Sequence, residues 1–509
     1  MESLTHLLSG FAAALGPAYL AYAFAGCVCG TLIGVLPGLG PAAGTAILIP
    51  LTFQLDPTGA IIMLAAIYYG AMYGGTITSV LINVPGEAAS VMTCIDGHQM
   101  ARQGRGGTAL GIAAIGSFLG GLAATCALVM IAPPLAKLAL KFGPPEFFAL
   151  MLLALCLVTG LAGRSLAAAL LMTVFGLLIS LVGIDPVRGA PRFAFGIPDL
   201  YDGFGIVPVV MGLFGLAEIL ITAEQPVRDI VRTRLSGLLP SRDEWRRSWG
   251  AIWRGTGIGF GLGLIPGIGA IVPTFMAYIA EKRLSKTPER FGRGAIEGVA
   301  APETANNAYA NAAMVPFLTL GIPSSPTIAV LMGAFIVNGL TPGPFLFQER
   351  PDLVWTVIAS FFVGNVILLV LNLPLVGLWA KILHVPFRYL AVGVLLFCLL
   401  GAYSLQQSVF DVWVMIAFGL IGYVLRKLDL PLAPLVLGLI LGPALEKSLR
   451  TSLEMSGGEY AIFFTRPLCL ALLLASALVL AGAALQVART AWRGVIFDRT
   501  GGAEGGREP

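Results

Sequence analysis

Charged residues are scarce in this chain of 509 residues. Asp, Glu, Lys and Arg make up 11% of it, whereas the apolar types reach 57% and the mean hydropathy is +0.88. A soluble domain carries about 25% charged residues, and a disordered chain is poorer in apolar residues. Both classes are therefore excluded. The net charge of +4 also provides no basic field for DNA or RNA, so no nucleic-acid partner is expected.

Histidine and cysteine are also scarce, and common catalytic motifs are missing. The three histidines have no metal-ligand spacing, and the seven cysteines lie nearly all within apolar runs, which argues against a disulfide framework. The sequence contains no Gly-Lys dipeptide, and hence no Walker A loop, and neither H-E-x-x-H nor G-x-S-x-G. We therefore expect no enzyme, and no cofactor other than a bound Na⁺.

Long apolar runs are present instead, together with a large excess of glycine and proline. Since a helix of about 20 apolar residues spans a membrane, the runs predict an all-α polytopic membrane protein with about 11–12 transmembrane segments. The 64 glycines and 33 prolines are too many for uninterrupted helices. Freed backbone groups are tolerated only inside protein or in a wet cavity. The composition therefore predicts re-entrant hairpins and broken helices around a pathway.

The chain contains an internal duplication. The motif Leu36-Pro-Gly-Leu-Gly40 recurs 229 positions later as Ile265-Pro-Gly-Ile-Gly269. Asn83-Val-Pro85 likewise corresponds to Gly321-Ile-Pro323, and three further matches follow in the same order along the two halves. We assign residues 1–225 to a first transmembrane repeat and 249–450 to a second. The other segments are a cytoplasmic linker, an extra C-terminal transmembrane helix and a cytoplasmic tail, at 226–248, 451–488 and 489–509.

Loop charges predict the relative orientation of the two repeats. The loop 54–57 carries no Lys or Arg, whereas its counterpart 282–293 carries five. Conversely, the loop 97–107 carries two arginines, while its counterpart 339–352 carries one beside two acidic residues. Because Lys and Arg mark cytoplasmic loops, this exchange predicts inverted-topology repeats, a construction found in many secondary transporters.

Polar residues concentrate in one broken segment of each repeat. In the first repeat this segment, 58–97, follows a predicted re-entrant hairpin at 11–54. In the second repeat the segment 295–340 follows a predicted hairpin at 249–281. A helix broken within the membrane exposes N–H groups, which attract anions, and C=O groups, which attract cations. Glycines let a ligand approach the backbone. The expected substrate-binding residues are Gly38, Gly40, Gly74, Gly75, Thr76, Thr78, Ser79, Asn83, Pro85, Gly86, Gly267, Gly269, Pro323, Ser324 and Ser325.

Two carboxylates and three amides in these segments are candidates for ion coupling. Amide oxygens suit Na⁺, and an intramembrane carboxylate is a functional candidate by default. Ordinary helix packing explains small residues alone, and a carboxylate can also cap a helix near an interface. Matching Pro-Gly, Asn and Glu clusters in both repeats favour a site. The expected ion-coupling residues are Glu87, Glu303, Asn306, Asn307 and Asn311, with Na⁺ at the three asparagines; coupling to H⁺ through Glu303 stays open.

Three runs carry a resemblance to a known family: GVLPGLGPAAGTAILIPLTF, AIYYGAMYGGTITSVLINVPGEAASVMTCIDGHQMARQGRGG and APETANNAYANAAMVPFLTLGIPSSPTIAVLMGAF. They resemble the large membrane subunit of the bacterial tripartite tricarboxylate transporters, and the match extends over nearly the whole chain. The resemblance implies a multi-pass secondary carrier in the bacterial inner membrane that takes up di- or tricarboxylates such as citrate, driven by an ion gradient. It also implies two partners, a periplasmic solute-binding protein and a small membrane subunit of about four helices.

Other functions remain to be separated from this one. A carrier or channel for another small organic anion is the alternative, and accumulation against a gradient separates a carrier from a channel. A membrane scaffold or sensor without transport would not need polar broken segments.

The inverted topology predicts opposite accessibility for the two hairpin ends. A cysteine introduced at Thr58 should react with a membrane-impermeant thiol reagent added from the periplasm, and a cysteine at Ser285 should not, because Lys and Arg hold the second loop in the cytoplasm. Labelling of intact and permeabilised cells measures this. Labelling of both positions from the same side would mean that the repeats are parallel.

Overall fold

The computed structural model describes residues 2–36, 39–161, 165–185, 189–224, 237–383, 385 and 387–501. Nine helices among these residues are long and apolar enough to cross a membrane, and four shorter apolar helices accompany them. The prediction of an all-α polytopic membrane protein is therefore confirmed. Within the described ranges the single sheet consists of two short antiparallel strands, β1 (Gly183–Ile184) and β2 (Pro191–Arg192).

The described residues of the predicted first repeat form ten α-helices and one π turn, and 3₁₀ turns at Ile49–Thr52 and Ala88–Ser90 extend two of its breaks. The π turn, Met211–Leu216, joins the last two helices into one rod. The helices are α1 (Glu2–Ala14), α2 (Pro17–Val35), α3 (Gly40–Leu48), α4 (Pro57–Ile82), α5 (Val91–Arg102), α6 (Gly106–Ala139), α7 (Pro144–Leu161), α8 (Leu166–Ser180), α9 (Ile206–Val210) and α10 (Ala217–Ala223).

The second half continues with thirteen helices in the described part of the chain. They are α11 (Arg242–Gly263), α12 (Ile271–Leu284), α13 (Glu297–Ala312), α14 (Met314–Leu320), α15 (Pro326–Val337), α16 (Leu346–Glu349), α17 (Pro351–Asn372), α18 (Val376–Ile382), α19 (Phe387–Gln406), α20 (Val409–Lys427), α21 (Leu432–Met455), α22 (Ile462–Thr465) and α23 (Pro467–Gly501).

A row of glycines in each half brings two helices into backbone contact. In α2, a Cβ atom at Gly26, Gly30 or Gly34 would lie 2.2–2.4 Å from a carbonyl oxygen of α4. The second row, 229 positions later in α11, lies against α13 in the same way, with Cβ positions 2.2–2.9 Å from carbonyl oxygens at Gly255, Gly259 and Gly263. Such small-residue rows let helix backbones approach closely without a side chain between them.

The helix breaks also correspond between the halves. Helix α4 ends at Asn83 in the left-handed region (φ 53°), and α14 ends at Gly321 in the same region (φ 71°). Four residues later, Glu87 (φ −141°, ψ 163°) and Ser325 (φ −152°, ψ 164°) adopt nearly the same extended backbone. This agreement supports the predicted duplication, while the inversion of the two halves stays a prediction.

The start of the chain differs from the expected hairpin at 11–54. The hairpin comprises α2, α3 and the turn that ends at Thr52, and α1 is a separate helix that packs on α17. The His6 ring stacks on Trp355 with 6.2 Å between ring centroids. The separation arises at Gly16, whose ψ of 144° leaves the helical region, and at Pro17, which begins a helix but cannot continue one.

A buried carboxylate in the middle of α5 joins the two halves. One oxygen of Asp96 accepts hydrogen bonds from the backbone N–H groups of Gly292, Gly294 and Ala295 at 2.8–2.9 Å, and the other accepts one from the Tyr278 hydroxyl at 2.9 Å. The three N–H groups immediately precede α13. Asp96 therefore fixes the start of the second broken segment against the end of the first.

Backbone contact between α11 and α13 predicts a position-specific effect of one methyl group. Gly259→Ala places its Cβ 2.2 Å from the Ala305 carbonyl oxygen, so the helices must separate, at a cost of about 1–3 kcal/mol. The matched control is Gly261→Ala, two residues later on the exposed side of α11, whose Cβ meets no atom within 4 Å. Thermal unfolding in detergent can be monitored by the reactivity of the buried cysteines. The unfolding midpoint should be lower for Gly259→Ala alone, and equal midpoints for the two variants would contradict the backbone contact between α11 and α13.

Candidate functional site

A cavity of about 720 Å³ lies where the two hairpin tips meet the two helix breaks. Its volume is in the range of small-molecule binding sites. The remaining wall comes from α4, the π turn, α10, the end of α20 and the start of α21. The lining residues from the tips and breaks are Leu39, Gly40, Pro41, Ala42, Ala43, Val84, Pro85, Gly86, Glu87, Ala88, Ala89, Gly269, Ala270, Ile271, Ser325, Pro326 and Thr327.

Helix N-termini dominate this lining. The first turns of α3, α15 and α21, the start of α12 and the 3₁₀ turn that leads into α5 all contribute residues. The first N–H groups of a helix have no partner within the helix, and the helix dipole places partial positive charge there. Five such ends around one space favour an anion.

The structure brings six of the predicted site residues to the cavity wall: Gly40, Pro85, Gly86, Glu87, Gly269 and Ser325. Of these, Glu87 was expected to couple an ion rather than to contact substrate. Gly40 (φ 59°) and Gly269 (φ 70°) occupy the left-handed region, and a Cβ at either would meet no atom within 4 Å. Both tips therefore present open backbone to the cavity. Gly38 lies outside the described residues.

Four other predicted substrate residues face protein instead. Gly74 packs on α2, where its Cβ would lie 2.3 Å from the Thr31 carbonyl oxygen, and Gly267 packs on Val158 of α7. The hydroxyls of Thr78 and Ser79 donate to the carbonyl of Gly75 at 2.9 Å, within α4 itself. These side chains complete the packing behind the break.

The second break contributes buried polar atoms. Pro323 and Ser324 lie between α14 and α15, and the Ser324 carbonyl accepts a hydrogen bond from the Tyr309 hydroxyl at 2.9 Å. The Ser324 hydroxyl is buried and makes no hydrogen bond to the described part of the chain. Asn83, in the first break, is exposed. A buried hydroxyl without a partner is costly, so the Ser324 hydroxyl is a candidate to contact a ligand.

Glu303 in α13 is held by the first half. Its two carboxylate oxygens accept hydrogen bonds from the Thr76 hydroxyl of α4, at 2.6 Å, and from the Thr93 hydroxyl of α5. The residue is 1% exposed, and no cationic side chain among the described residues pairs with it. Glu303 therefore joins both parts of the first broken segment to the second. The sequence had singled out Glu303 and Thr76 but not Thr93.

Glu87 and Asn306 form the second contact between the broken segments. The Asn306 amide donates to a Glu87 carboxylate oxygen at 2.5 Å. Its amide oxygen is buried and accepts no hydrogen bond within the described ranges. Since Glu87 lines the cavity, this pair connects the cavity to the buried contact between the halves.

Asn307 and Asn311 face a different neighbour. The Asn307 amide donates to the Ser117 hydroxyl of α6 at 2.7 Å, and the Asn311 oxygen accepts from the Thr125 hydroxyl of α6 at 2.9 Å. The two residues are one helical turn apart and share a face, whereas Asn306 points about 100° away. The structure therefore separates the three asparagines that the sequence grouped together.

The cavity residues that were not predicted include Phe214, Glu218 and Arg426. Phe214 lies in the π turn, Glu218 in α10, and Arg426 in the last turn of α20, where its guanidinium pairs with the Glu218 carboxylate. Glu218 is the one charged residue in the apolar run 206–222. The rule that marks an ionisable residue within a span as functional would have found it.

Comparison with known proteins identifies relatives along the chain. The model of the tripartite tricarboxylate transporter TctA family matches residues 20–437. An uncharacterized 52.8 kDa protein of the TAR-I ttuC' 3' region of Agrobacterium vitis is 47% identical over 93% of this chain and 94% of its own length. A protein of the TAR-II ttuC' 3' region of the same organism is 48% identical over 42% of this chain and 88% of its own length. No solved structure matches the chain.

Proposed function

The chain belongs to the tripartite tricarboxylate transporter TctA family, and on this premise we propose that it carries di- or tricarboxylates such as citrate through the cavity between its helix breaks. The family makes it a subunit of a multi-pass membrane transporter. The proposed location is the bacterial inner membrane. The proposed partners are a periplasmic solute-binding protein that delivers the substrate and a small membrane subunit of about four helices.

One observation carries the proposal: five helical N-termini and two glycine tips line a single cavity. Free backbone N–H groups at these ends can donate to a carboxylate without a buried cation. Gly40 and Gly269 leave room for the ligand to reach the backbone. Backbone donors accept any carboxylate, so another small organic anion is the alternative substrate.

Ion coupling is proposed at the two contacts between the broken segments. The Asn306 oxygen, unpartnered in the described chain, and the Glu87 carboxylate beside it are oxygen ligands of the kind that Na⁺ prefers. Glu303 is the candidate for the alternative, coupling to H⁺. Because Asn307 and Asn311 bond to α6, they support the position of α13 and are not proposed as direct ligands.

Transport requires the cavity to open to each side in turn. Asp96, Glu303 and Glu87 each join a residue of the first repeat to the second repeat. In many secondary carriers one repeat moves as a body against the other around a fixed site. We propose the same motion here, with these contacts breaking and re-forming as the ion and the substrate bind.

A branched side chain at a hairpin tip should block uptake. Gly269→Val places its side chain in the cavity, at a residue whose φ is 70°, and should abolish uptake of labelled citrate into cells that co-express the partners. The matched control is Gly339→Val, where φ is 71° and a Cβ also meets no atom within 4 Å, but which does not line the cavity. Backbone strain of about 1–2 kcal/mol is common to both. Equal uptake by the two variants would remove this cavity as the substrate route.

Ion replacement should identify the coupling ion. In proteoliposomes at fixed pH, replacing Na⁺ by choline should stop citrate accumulation by the parent protein. Asn306→Ala should raise the Na⁺ concentration for half-maximal uptake about tenfold, since a lost ligand worth about 1.4 kcal/mol has this effect, and should change the citrate concentration for half-maximal uptake much less.

The outcomes separate the two ions and a channel. Undiminished accumulation in choline would eliminate the Na⁺ site; Glu303→Gln should then remove the pH dependence of uptake. Citrate flux that never exceeds equilibrium under any ion gradient would identify a channel.

A further inference from the structure

The cavity contains a cationic side chain in addition to the helix N-termini that are proposed to bind an anion. Of the described lining residues, Glu87, Glu218 and Arg426 are charged, and Arg426 alone is positive. It lies in the last turn of α20.

The pairing of Arg426 is incomplete. One terminal nitrogen contacts one oxygen of Glu218, and the Arg426 side chain remains 35% exposed while that of Glu218 is 10% exposed. A guanidinium has five N–H donors, so most of them stay available to a second acceptor in the cavity. Glu218 itself has one further contact, from the Thr222 hydroxyl at 3.4 Å.

The backbone is altered where Glu218 meets the cavity. The π turn Met211–Leu216 ends two residues before Glu218, and Phe214, one turn earlier, also lines the cavity. A π turn inserts an extra residue into a helix and re-aims the side chains that follow, and such turns occur frequently at functional sites. Here the π turn lies directly before Glu218, the residue whose carboxylate pairs with the Arg426 guanidinium.

We propose that Arg426 binds a second carboxylate of the substrate and that Glu218 occupies the guanidinium when the cavity is empty. This inference rests on the proposed function. The helix N-termini would hold one carboxylate of any organic acid, and Arg426 would add a charge-assisted contact for acids that carry another. Glu218 would weaken the binding of every substrate by competing for the same donors. Arg426 would therefore set the preference for di- and tricarboxylates over monocarboxylates.

A purely structural role for the pair makes a different prediction. If the contact only fastened α10 to α20, loss of either partner would impair the protein in the same direction. Under the proposal the two neutral variants change the affinity for the substrate in opposite directions. Arg426→Gln removes the group that binds the substrate carboxylate, whereas Glu218→Gln removes the carboxylate that competes with the substrate for Arg426. The neighbouring pair Glu224 and Lys427 joins the same two helix ends but does not line the cavity, so Lys427→Gln is the matched control.

The experiment measures uptake and binding with three probes: citrate, succinate and butyrate, the last being the four-carbon monocarboxylate that matches succinate. The parent protein is tested first, with its partners, for citrate or succinate accumulation. Arg426→Gln, Arg426→Lys, Glu218→Gln and Lys427→Gln follow. Half-saturation concentrations are taken from uptake, and dissociation constants from the ligand-induced shift of the unfolding temperature in detergent.

Arg426→Gln should raise the half-saturation concentration for citrate and succinate about tenfold or more, the value of one lost charged hydrogen bond. It should leave any butyrate binding unchanged or improved. Glu218→Gln should lower the half-saturation concentration for citrate or succinate, Arg426→Lys should fall between the parent and Arg426→Gln, and Lys427→Gln should match the parent.

Equal losses in Glu218→Gln and Arg426→Gln would overturn the proposal and leave the pair as a structural contact. Should Arg426→Gln fail to fold, weaker binding of succinate by Glu218→Gln would overturn it by itself. The proposal would also be overturned if the ratio of the half-saturation concentrations for succinate and butyrate in Arg426→Lys and Arg426→Gln were the same as in the parent protein. A parent protein that transports no carboxylate would instead overturn the proposed function.

Discussion

The architecture depends on one constraint: a backbone N–H group freed at a helix break inside a membrane must find a polar partner. The chain breaks its helices at two tips and two internal turns, and the N-terminal ends created there meet in one cavity. Protein groups satisfy some of these ends, as Ser325 does by accepting from the Ile328 N–H at 3.3 Å. A carboxylate that enters the cavity would satisfy the others, so binding the substrate and stabilising the broken helices are the same interaction.

The breaks could not meet without the glycine rows beside them. Backbone contact of α2 with α4, and of α11 with α13, brings each hairpin tip within reach of the next break. Side chains then join the halves across the remaining distance, through Glu303, Glu87 and Asp96. Rigid helix pairs with a few polar contacts between them are suited to a carrier, because the contacts can exchange partners while the pairs stay intact.

Much of this could be predicted from the sequence because proline, glycine and intramembrane polar residues mark breaks wherever they fall. The tips, the breaks at Asn83 and Gly321 and the carboxylates Glu87 and Glu303 were found in this way. The directions of side chains were not. Helical geometry separates Asn306 from Asn307 and Asn311, and the sequence alone does not show which face meets Glu87. Arg426 was missed because its role depends on packing between α10 and α20, about 200 residues apart.

In the proposed function, helix N-termini in this cavity bind the carboxylate. The most direct test is an electron cryomicroscopy structure of the protein in lipid nanodiscs at saturating citrate, compared with one without citrate. We expect added density in the cavity, with a carboxylate within hydrogen-bond distance of backbone N–H groups in the first turns of α3 or α15. Citrate density outside the cavity, or density inside it that touches no helix N-terminus, would contradict it.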